Sequence, residues 1–280
     1  MEYKSIASMG GWFSWVDFYI FKCLLDYQSS MNFTGGLCEI GVHHGKSFIP
    51  IVLFSNGSLC HAIDVFEQQH LNLDNSGSGN YSIFKRNLSR FHIHLDSIRI
   101  HKKQSTDVHP EDLTLECNSI RFFHIDGGHN FDVVKSDLRL ALNCSSMTSI
   151  IAIDDICRSE WFEVSLAVFG SNELLRQYGF VILALGFNKL FLCHKSRLME
   201  YRQALLSMSQ LKAFLVKDYS ARSISKIPTL IYAEYPLPEW GLVRFIIYTL
   251  KLKVPCLYCF IMNVIPVNQL KDFIRKKIQS

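Results

Sequence analysis

The stretch from Leu37 to Ser47, LCEIGVHHGKS, constrains the fold of this chain more than any other part of the sequence. It begins as a short apolar run that carries an acid, Glu39, and it continues through Gly41 and Gly45 into apolar residues at helical spacing. Glycine has no Cβ, so it allows the backbone to turn sharply and a ligand to approach it closely. The pattern predicts a strand, a tight turn and a helix, the unit that opens a nucleotide-binding α/β sheet.

The spacing of the glycines indicates which kind of ligand this turn would bind. A dinucleotide-binding turn has the pattern G-x-G-x-x-G, whereas only Gly41 and Gly45 are present here. Glu39 would repel a diphosphate, but its charge suits a cationic or zwitterionic ligand. We therefore expect such a ligand at the turn, with the N–H groups of the following helix directed towards it. A glycine-rich turn that binds no ligand is the alternative.

The composition of the 280 residues is that of a globular protein with a sizeable core, since 49% are hydrophobic and 19% are charged. The net charge of +4 is too small to predict a nucleic-acid partner. The first residues carry Glu2 and Lys4 before any apolar run, so we expect no signal peptide and a cytoplasmic location. Most cysteines lie inside apolar runs, which is typical of buried thiols in a reducing compartment.

Polar residues follow the second and third predicted strands. Asp64 lies at the end of the strand His61–Val65. This is roughly 20 residues beyond the first glycine of the turn, where a carboxylate can accept both ribose hydroxyls of an adenosine. Gln104 or Ser105, after the strand Ile98–His101, could hydrogen-bond the edge of an adenine ring. An ordinary acid at a strand end and an ordinary polar turn are the alternatives.

Three carboxylates and one histidine follow the next two predicted strands: Asp126, His129, Asp154 and Asp155. The strands themselves are predicted at Ile120–Ile125 and Ile150–Ile153. Because parallel strands end at the same edge of a sheet, we expect these side chains to lie together. Carboxylates at such distances repel each other unless a cation separates them, and Mg²⁺ or Ca²⁺ is the simplest such cation. Helix caps or cofactor contacts are alternative roles for one or two of the acids.

The ends of the chain carry weaker signals. Helical spacing predicts helices at Trp12–Tyr27 and Leu198–Val216. The runs Gly179–Leu185 and Lys189–His194 flank a short turn and predict an antiparallel hairpin that completes the sheet. Basic and apolar residues alternate from Arg244 to Lys277, which predicts a cap or dimerisation arm or, alternatively, a face that rests on a membrane surface.

The ordered set of motifs between positions 35 and 195 resembles class I methyltransferases, which use S-adenosylmethionine (SAM) as methyl donor. Within them it is most similar to the small macrocin-type O-methyltransferases with an Ile-Asp-Gly-x-His signature, which here reads Ile125 to His129. The other matching positions are Glu39, Gly41, Gly45, Ser47, Asp64, Asp154 and Asp155. His43 and His44 inside the first turn depart from the family pattern.

The resemblance implies a fold, a cofactor and a division into domains. The fold is a Rossmann-like, mostly parallel sheet of seven strands whose last strand is antiparallel. A helical cap is expected at residues 1–34, the SAM-binding domain at 35–195 and an extension of unknown role at 196–280. The residues expected to contact SAM are Glu39, Gly41, Gly45, Ser47, Asp64, Ser105 and Asp126.

The resemblance also implies a reaction. In metal-dependent branches of the family, the acids that match Asp126, Asp154 and Asp155 hold Mg²⁺, which would lower the pKa of an acceptor hydroxyl on a sugar or another small molecule. His129 would then remove the proton, with Asp126 as the second catalytic residue. Two alternatives stay open: His129 acts without a metal, or the chain keeps the fold without catalysis. A nicotinamide-dependent dehydrogenase is disfavoured by the missing third glycine, and a homo-oligomer is possible.

Overall fold

A computed structural model of the chain describes residues 1–72, 74, 76–156, 158–219 and 229–233. Its strands are β1 Gly36–Ile40, β2 Cys60–Ile63, β3 Ile98–His101, β4 Ile120–Ile125, β5 Ile150–Ile153, β6 Phe180–Leu185, β7 Leu190–His194, β8 Leu215–Tyr219 and β9 Thr229–Tyr232. Its helices are α1 Trp15–Ser30, α2 Phe48–Phe54, α3 Tyr81–Arg90, α4 Pro110–Thr114, α5 Phe131–Cys144, α6 Phe162–Phe169, α7 Asn172–Gln177, α8 Leu198–Ser207 and α9 Ser209–Lys212.

The strands form one sheet in the order β3-β2-β1-β4-β5-β7-β6-β9-β8. The first five strands of the chain are parallel to their neighbours, and β7 is antiparallel to both β5 and β6. Every residue of β1, β2, β4 and β5 is buried, as expected for parallel strands that helices cover on both faces. The predicted Rossmann-like α/β fold with an antiparallel strand near its end is therefore confirmed.

Helices on the two faces of the sheet enclose two hydrophobic cores. Side chains alternate across a strand, so Phe122 of β4 enters one core and Phe123 enters the other. In the first core, Phe21 of α1 packs against Phe122 with ring centroids 4.9 Å apart. Leu138 of α5 belongs to the second core. The N-terminal helix thus packs directly on the sheet.

The sheet is larger than the seven strands that we predicted, because the described part of the chain forms nine. The two additional strands follow residue 195: β9 pairs with β6 in parallel, and β8 pairs with β9 in antiparallel. The helix predicted over Leu198–Val216 ends earlier, since Leu215 and Val216 begin β8. An unpaired edge of β6 offers free backbone groups, and the strand Thr229–Tyr232 satisfies them. The domain boundaries at residues 34 and 195 stay predictions.

Two helix starts show how local side chains set the ends of elements. The hydroxyl of Ser14 accepts a hydrogen bond from the backbone N–H of Asp17 at 3.1 Å, so α1 begins at Trp15 and not at Trp12 as predicted. Asn130 caps α5 through the N–H of Val133 at 3.0 Å, as the sequence predicted. The second cap fixes the segment between β4 and α5, which carries the family signature.

Two expectations about the chain's surroundings meet different outcomes. Among the described residues, no helix is both long enough and apolar enough to cross a membrane. The basic segment from Arg244 to Lys277, predicted as an arm or a membrane-resting face, lies outside the described residues. Four of the cysteines expected to be buried thiols are free and buried: Cys23, Cys38, Cys60 and Cys193.

Candidate active site

A cavity of about 570 Å³ opens at the carboxyl ends of β1, β2, β4 and β5. Its size and position are those of a small-molecule site in an α/β sheet. Most of the predicted site residues line it: Gly41, Ser47, Asp64, Ser105, Asp126, His129, Asp154 and Asp155. Glu39 lies fully buried beneath the first turn, and Gly45 packs against Phe84, so these two stand behind the wall of the cavity. The structure thus brings the predicted residues to a single hollow.

The first turn holds the two sides of this hollow together at Gly41. The residue has φ +82°, and a Cβ added to it would lie 1.7 Å from the carbonyl oxygen of Asp126. Only glycine allows the turn after β1 to approach the end of β4 so closely. We call the region of Glu39 and Asp64 the cofactor end, and the region of Asp126, Asp154 and Asp155 the acceptor end.

Glu39 is an almost uncompensated acid at the base of the cofactor end. The hydroxyl of Ser47 donates a hydrogen bond to Oε1 at 2.5 Å, whereas Oε2 has no hydrogen-bond partner in the described part of the chain. The nearest ring nitrogen, Nδ1 of buried His124, lies 3.4 Å from Oε1. Burial raises the pKa of Glu39 to about 8, although the Ser47 hydrogen bond opposes this rise.

Asp64 faces the same end from the tip of β2. Its Oδ2 accepts a hydrogen bond from the backbone N–H of His43 at 2.7 Å, and its Oδ1 accepts one from the N–H of Phe66 at 2.5 Å. Burial raises the pKa of Asp64 above its usual value. Like Glu39, it forms no ion pair with a lysine or arginine among the residues the structure describes.

At the acceptor end the acids surround a buried lysine that the sequence analysis did not assign to the site. The ammonium group of Lys189 contacts Oδ2 of Asp154 and lies 3.9 Å from Oδ2 of Asp126. Burial alone would lower the pKa of Lys189, but Asp154, Asp126 and Asp17 outweigh burial and raise it, so the group is charged. Its side chain is only 2% exposed.

His129 is held between two carboxylates. Its Nδ1 lies 2.8 Å from Oδ2 of Asp74, and its Nε2 lies 2.8 Å from Oδ2 of Asp155. Burial acts to lower the pKa of His129, but the hydrogen bonds to Asp155 and Asp74 outweigh it and raise the pKa to about 9. The ring also stacks on Trp161, with centroids 4.1 Å apart and planes at 16°. His129 is therefore an imidazolium at neutral pH, with both nitrogens donating.

The remaining oxygens of Asp154 and Asp155 are also hydrogen-bonded. Oδ1 of Asp154 accepts from the backbone N–H of Asp155 at 2.8 Å and from Nδ2 of Asn188 at 3.0 Å. Oδ1 of Asp155 accepts from the same amide group at 2.7 Å. Asp126 differs, because its carboxylate lines the cavity and accepts no hydrogen bond from the described residues. Burial and the charge of Asp154 raise its pKa well above the usual value.

The first of the comparisons with known proteins concerns the sequence. Residues 38–156 match the protein family described as a methyltransferase domain. This match spans the strands and acids described above, from β1 to the end of β5. The chain carries a class I methyltransferase domain. No curated protein matches the sequence.

Solved structures show the same fold at low sequence identity. The O-methyltransferase NovP is 14% identical, with a TM-score of 0.53, over 64% of this chain and 80% of that chain. CalS11, a TDP-rhamnose 3′-O-methyltransferase of calicheamicin biosynthesis, is 14% identical, with a TM-score of 0.47, over 63% of this chain and 78% of that chain. TomG of Streptomyces achromogenes, in complex with SAM, is 14% identical, with a TM-score of 0.41, over 61% and 77%. The likeness to NovP establishes the fold of the methyltransferase domain.

The acids of the methyltransferase domain have the spacing of a divalent-ion site but not its available donors. One oxygen each from Asp126, Asp154 and Asp155 lies within 4.8 Å of the others. Mg²⁺ would need direct bonds of roughly 2.0–2.1 Å to such oxygens. The two neighbouring aspartates, however, already accept hydrogen bonds at all four oxygens, and the Lys189 ammonium lies between Asp154 and Asp126. As arranged, these residues do not fit the predicted Mg²⁺.

Three polar residues of the site went unassigned in the sequence analysis: Asp74, Asn188 and Lys189. Lys189 and Asn188 belong to the hairpin turn before β7, where a turn is the obvious interpretation. The available signal was a lysine directly before five buried strand residues, since a buried lysine needs an acidic partner. Asp74 lies in a loop rich in glycine and serine, where nothing in the sequence indicates a contact with His129.

Proposed function

We propose that this protein transfers the methyl group of SAM to a hydroxyl group of a small molecule or glycan. The observation that carries the proposal is the single cavity that joins the two ends of the site. At the cofactor end, acids lack a cationic partner, and at the acceptor end the carboxylate of Asp126 has no hydrogen-bond donor. A positively charged methyl donor and a hydroxyl acceptor complement these two ends respectively.

The cofactor end suits SAM in charge and in hydrogen bonding. SAM carries a sulfonium and an ammonium group, which complement the charge of Glu39 beneath the first turn. The ribose hydroxyls would donate to Asp64, whose two oxygens each accept one backbone N–H and retain a second lone pair. Ser105 lines the cavity at the position expected for the adenine edge. SAM bound in TomG is consistent with this cofactor for the fold.

In the proposed reaction, Asp126 and not His129 accepts the proton of the acceptor hydroxyl. The hydroxyl oxygen forms a bond to the methyl carbon, the carbon–sulfur bond breaks, and its electrons neutralise the sulfonium. Both nitrogens of His129 already donate to carboxylates, so His129 has no lone pair with which to act as a base. Its role would be to hold Asp155 and Asp74 in place. No step uses a metal ion.

An oxygen acceptor and a polyhydroxylated substrate are supported by two observations. NovP, whose fold this chain shares, is an O-methyltransferase. On the acceptor side the cavity is lined by hydrogen-bonding groups and one indole: Asn72, Arg158, Glu160, Trp161 and Asn188. Such a lining can hold several hydroxyl groups and the apolar face of a sugar ring.

Calorimetric titration with SAM tests the cofactor half of the proposal. Replacing Asp64 with Asn should weaken SAM binding by about 10- to 100-fold, because charged hydrogen bonds of this kind contribute roughly 1.5–3 kcal/mol. Glu67→Gln is the matched control, since Glu67 is an exposed acid three residues further on, and it should leave the affinity unchanged. Absence of any heat with SAM would instead favour a protein that keeps the fold without catalysis.

Transfer of the labelled methyl group of SAM to a panel of sugars and small alcohols and phenols tests the acceptor half. Asp126→Asn should reduce turnover by about 100-fold or more, the usual contribution of a general base. SAM affinity should change far less than turnover. The matched control is Asp132→Asn, an exposed acid in the first turn of α5, which should retain full activity. Full turnover in Asp126→Asn would exclude Asp126 as the base.

A further inference from the structure

We propose that Lys189 is a positioning residue that supplies, as a permanent part of the chain, the positive charge a divalent metal ion would otherwise bring to the Asp126, Asp154 and Asp155 cluster. This inference rests on the proposed function only for its catalytic consequence. Its structural part, a carboxylate cluster that is neutralised from within, stands on the contacts of Lys189 alone.

The ammonium group of Lys189 is enclosed and fixed in position. It contacts Asp154, lies 3.9 Å from Oδ2 of Asp126, and sits 5.7 Å from the centre of the Phe13 ring. Asp17 of α1, which is 1% exposed, adds a third negative charge nearby. A buried ammonium is stable only among such partners, so Lys189 has no alternative place to go.

A divalent ion would have to compete with this lysine for the same oxygens. An ion bound to Asp154 and Asp126 would lie within roughly 4 Å of the ammonium nitrogen, where two like charges in a buried site repel strongly. The ion would also have to displace donors, since both oxygens of Asp155 accept hydrogen bonds, from His129 and Asn188. Lysine and metal are therefore mutually exclusive occupants of the cluster.

The lysine also orders the groups around the acceptor position. By binding Oδ2 of Asp154, it leaves Oδ1 of that residue to accept from Asn188. The same amide group donates to Asp155, which in turn holds His129. Asp126 stays free to face the cavity as a carboxylate while the positive charge behind it offsets its neighbours. The consequence for the reaction is that a carboxylate, and not a metal-bound oxygen, receives the acceptor's proton.

Electron paramagnetic resonance of Mn²⁺ mixed with the full chain tests the proposal without relying on activity. The wild-type protein should bind no Mn²⁺ tightly, with a Kd weaker than about 1 mM. In Lys189→Gln, the uncompensated carboxylates should bind one Mn²⁺ at least roughly tenfold more tightly. The double variant Lys189→Gln with Asp154→Asn should lose this gain. A wild-type protein that binds one Mn²⁺ tightly, and loses it in Asp154→Asn, would overturn the proposal.

Two charge-controlled variants keep the test decisive. Lys189→Arg retains the positive charge and should bind Mn²⁺ as weakly as the wild type. Lys195→Gln removes an exposed lysine six residues further along the chain and should also change nothing. If Lys189→Gln fails to fold by circular dichroism, the wild-type and Lys189→Arg titrations decide the question. A folded Lys189→Gln without any gain in Mn²⁺ binding contradicts the proposal.

SAM calorimetry on the same samples separates this inference from the proposed function. A wild-type protein that binds SAM and also binds Mn²⁺ at the cluster contradicts the role of Lys189 while the methyltransferase proposal survives. A wild-type protein that binds neither contradicts the methyltransferase proposal but leaves the lysine in the place we assign to it.

Discussion

The cofactor end and the acceptor end are built from the same kind of residue but are electrically different. Glu39 and Asp64 at the cofactor end have hydrogen-bond donors from a hydroxyl and from backbone N–H groups, and no lysine or arginine pairs with either of them in the described residues. At the acceptor end, Asp154 contacts Lys189, and Asp155 accepts from the imidazolium of His129.

The difference shows which end awaits charge from a ligand. Burying an acid without a cation raises its pKa, which is the condition of Glu39. A ligand with a sulfonium and an ammonium group would supply the missing charge, and its binding would restore the ionised form. The acceptor end already contains its cations, so a neutral hydroxyl compound can enter it without leaving acids unpaired. A single cavity can therefore receive one charged and one neutral substrate in a defined orientation.

The largest effect on this arrangement is expected from Gly41, where the two ends touch. A Cβ in Gly41→Ala would lie 1.7 Å from the carbonyl oxygen of Asp126 and would force β1 and β4 apart. We expect a loss of about 4 kcal/mol or more in the free energy of unfolding, and loss of SAM binding. Chemical denaturation and calorimetry measure the two effects.

Gly57 provides the matched control for this substitution. Its φ of +79° is close to that of Gly41, but no atom lies within 4 Å of the position of its Cβ. Gly57→Ala therefore isolates the backbone strain, which should cost only about 1–2 kcal/mol. Equal losses in the two variants would show that strain, and not contact between the two ends, determines the requirement for glycine.

A second prediction sharpens the comparison through pH. The folded pKa of Glu39 is about 8, against a usual value of 4.5. The stability that comes from keeping this acid protonated is therefore fully present below about pH 4.5 and is lost as the pH rises through 8. Glu39→Gln cannot ionise, so its stability relative to the wild type should increase over this interval by roughly 3 kcal/mol.

Denaturation of both proteins at several pH values, with and without SAM, measures this difference. SAM should reduce the advantage of the variant at pH 8, because a bound cation stabilises the ionised acid of the wild type. Glu67→Gln, an exposed acid, should show no such pH dependence. A constant difference between Glu39→Gln and the wild type across this range would mean that Glu39 is ionised in the free protein.

The sequence predicted the central strands and the acids at their ends because both follow from local patterns. β3, β4 and β5 have the bounds predicted, since buried parallel strands are short apolar runs bounded by polar residues. The position of Asp64 and Asp126 at one edge follows from the rule that parallel strands end together. This rule needs no knowledge of distant contacts.

The compensation of charge could not be predicted because it depends on such contacts. Lys189 and Asp154 are 35 residues apart, and Asp74 and His129 are 55 residues apart. A sequence shows the acids but not which cation reaches them, so a metal was the simplest hypothesis. The pairing of β9 with β6 was missed for a similar reason, since it requires knowing that this edge is open.

The smallest predicted effect concerns two histidines, each near a tryptophan, at the two ends of the cavity. Burial, together with His44, lowers the pKa of His43 to about 4, whereas the acids around His129 raise its pKa to about 9. The ring of Trp12 lies 5.9 Å from His43 at 44°, and Trp161 stacks on His129 at 4.1 Å. NMR titration should therefore find one neutral and one charged histidine at pH 7.

Replacing each tryptophan with leucine distinguishes a ring that stabilises charge from one that only covers the cavity. In Trp161→Leu the imidazolium of His129 loses an attraction of about 0.5–1 kcal/mol, which corresponds to a fall of roughly half a pH unit in its pKa. Greater access of water to His129 acts in the opposite direction, so a rise in the pKa would show that burial is the stronger effect of Trp161. Trp12→Leu should leave the pKa of His43 unchanged, because a neutral ring gains little from an indole that is itself 72% exposed. A shift at His43 as large as that at His129 would remove the electrical distinction between the two ends, since it would mean that His43 also carries charge.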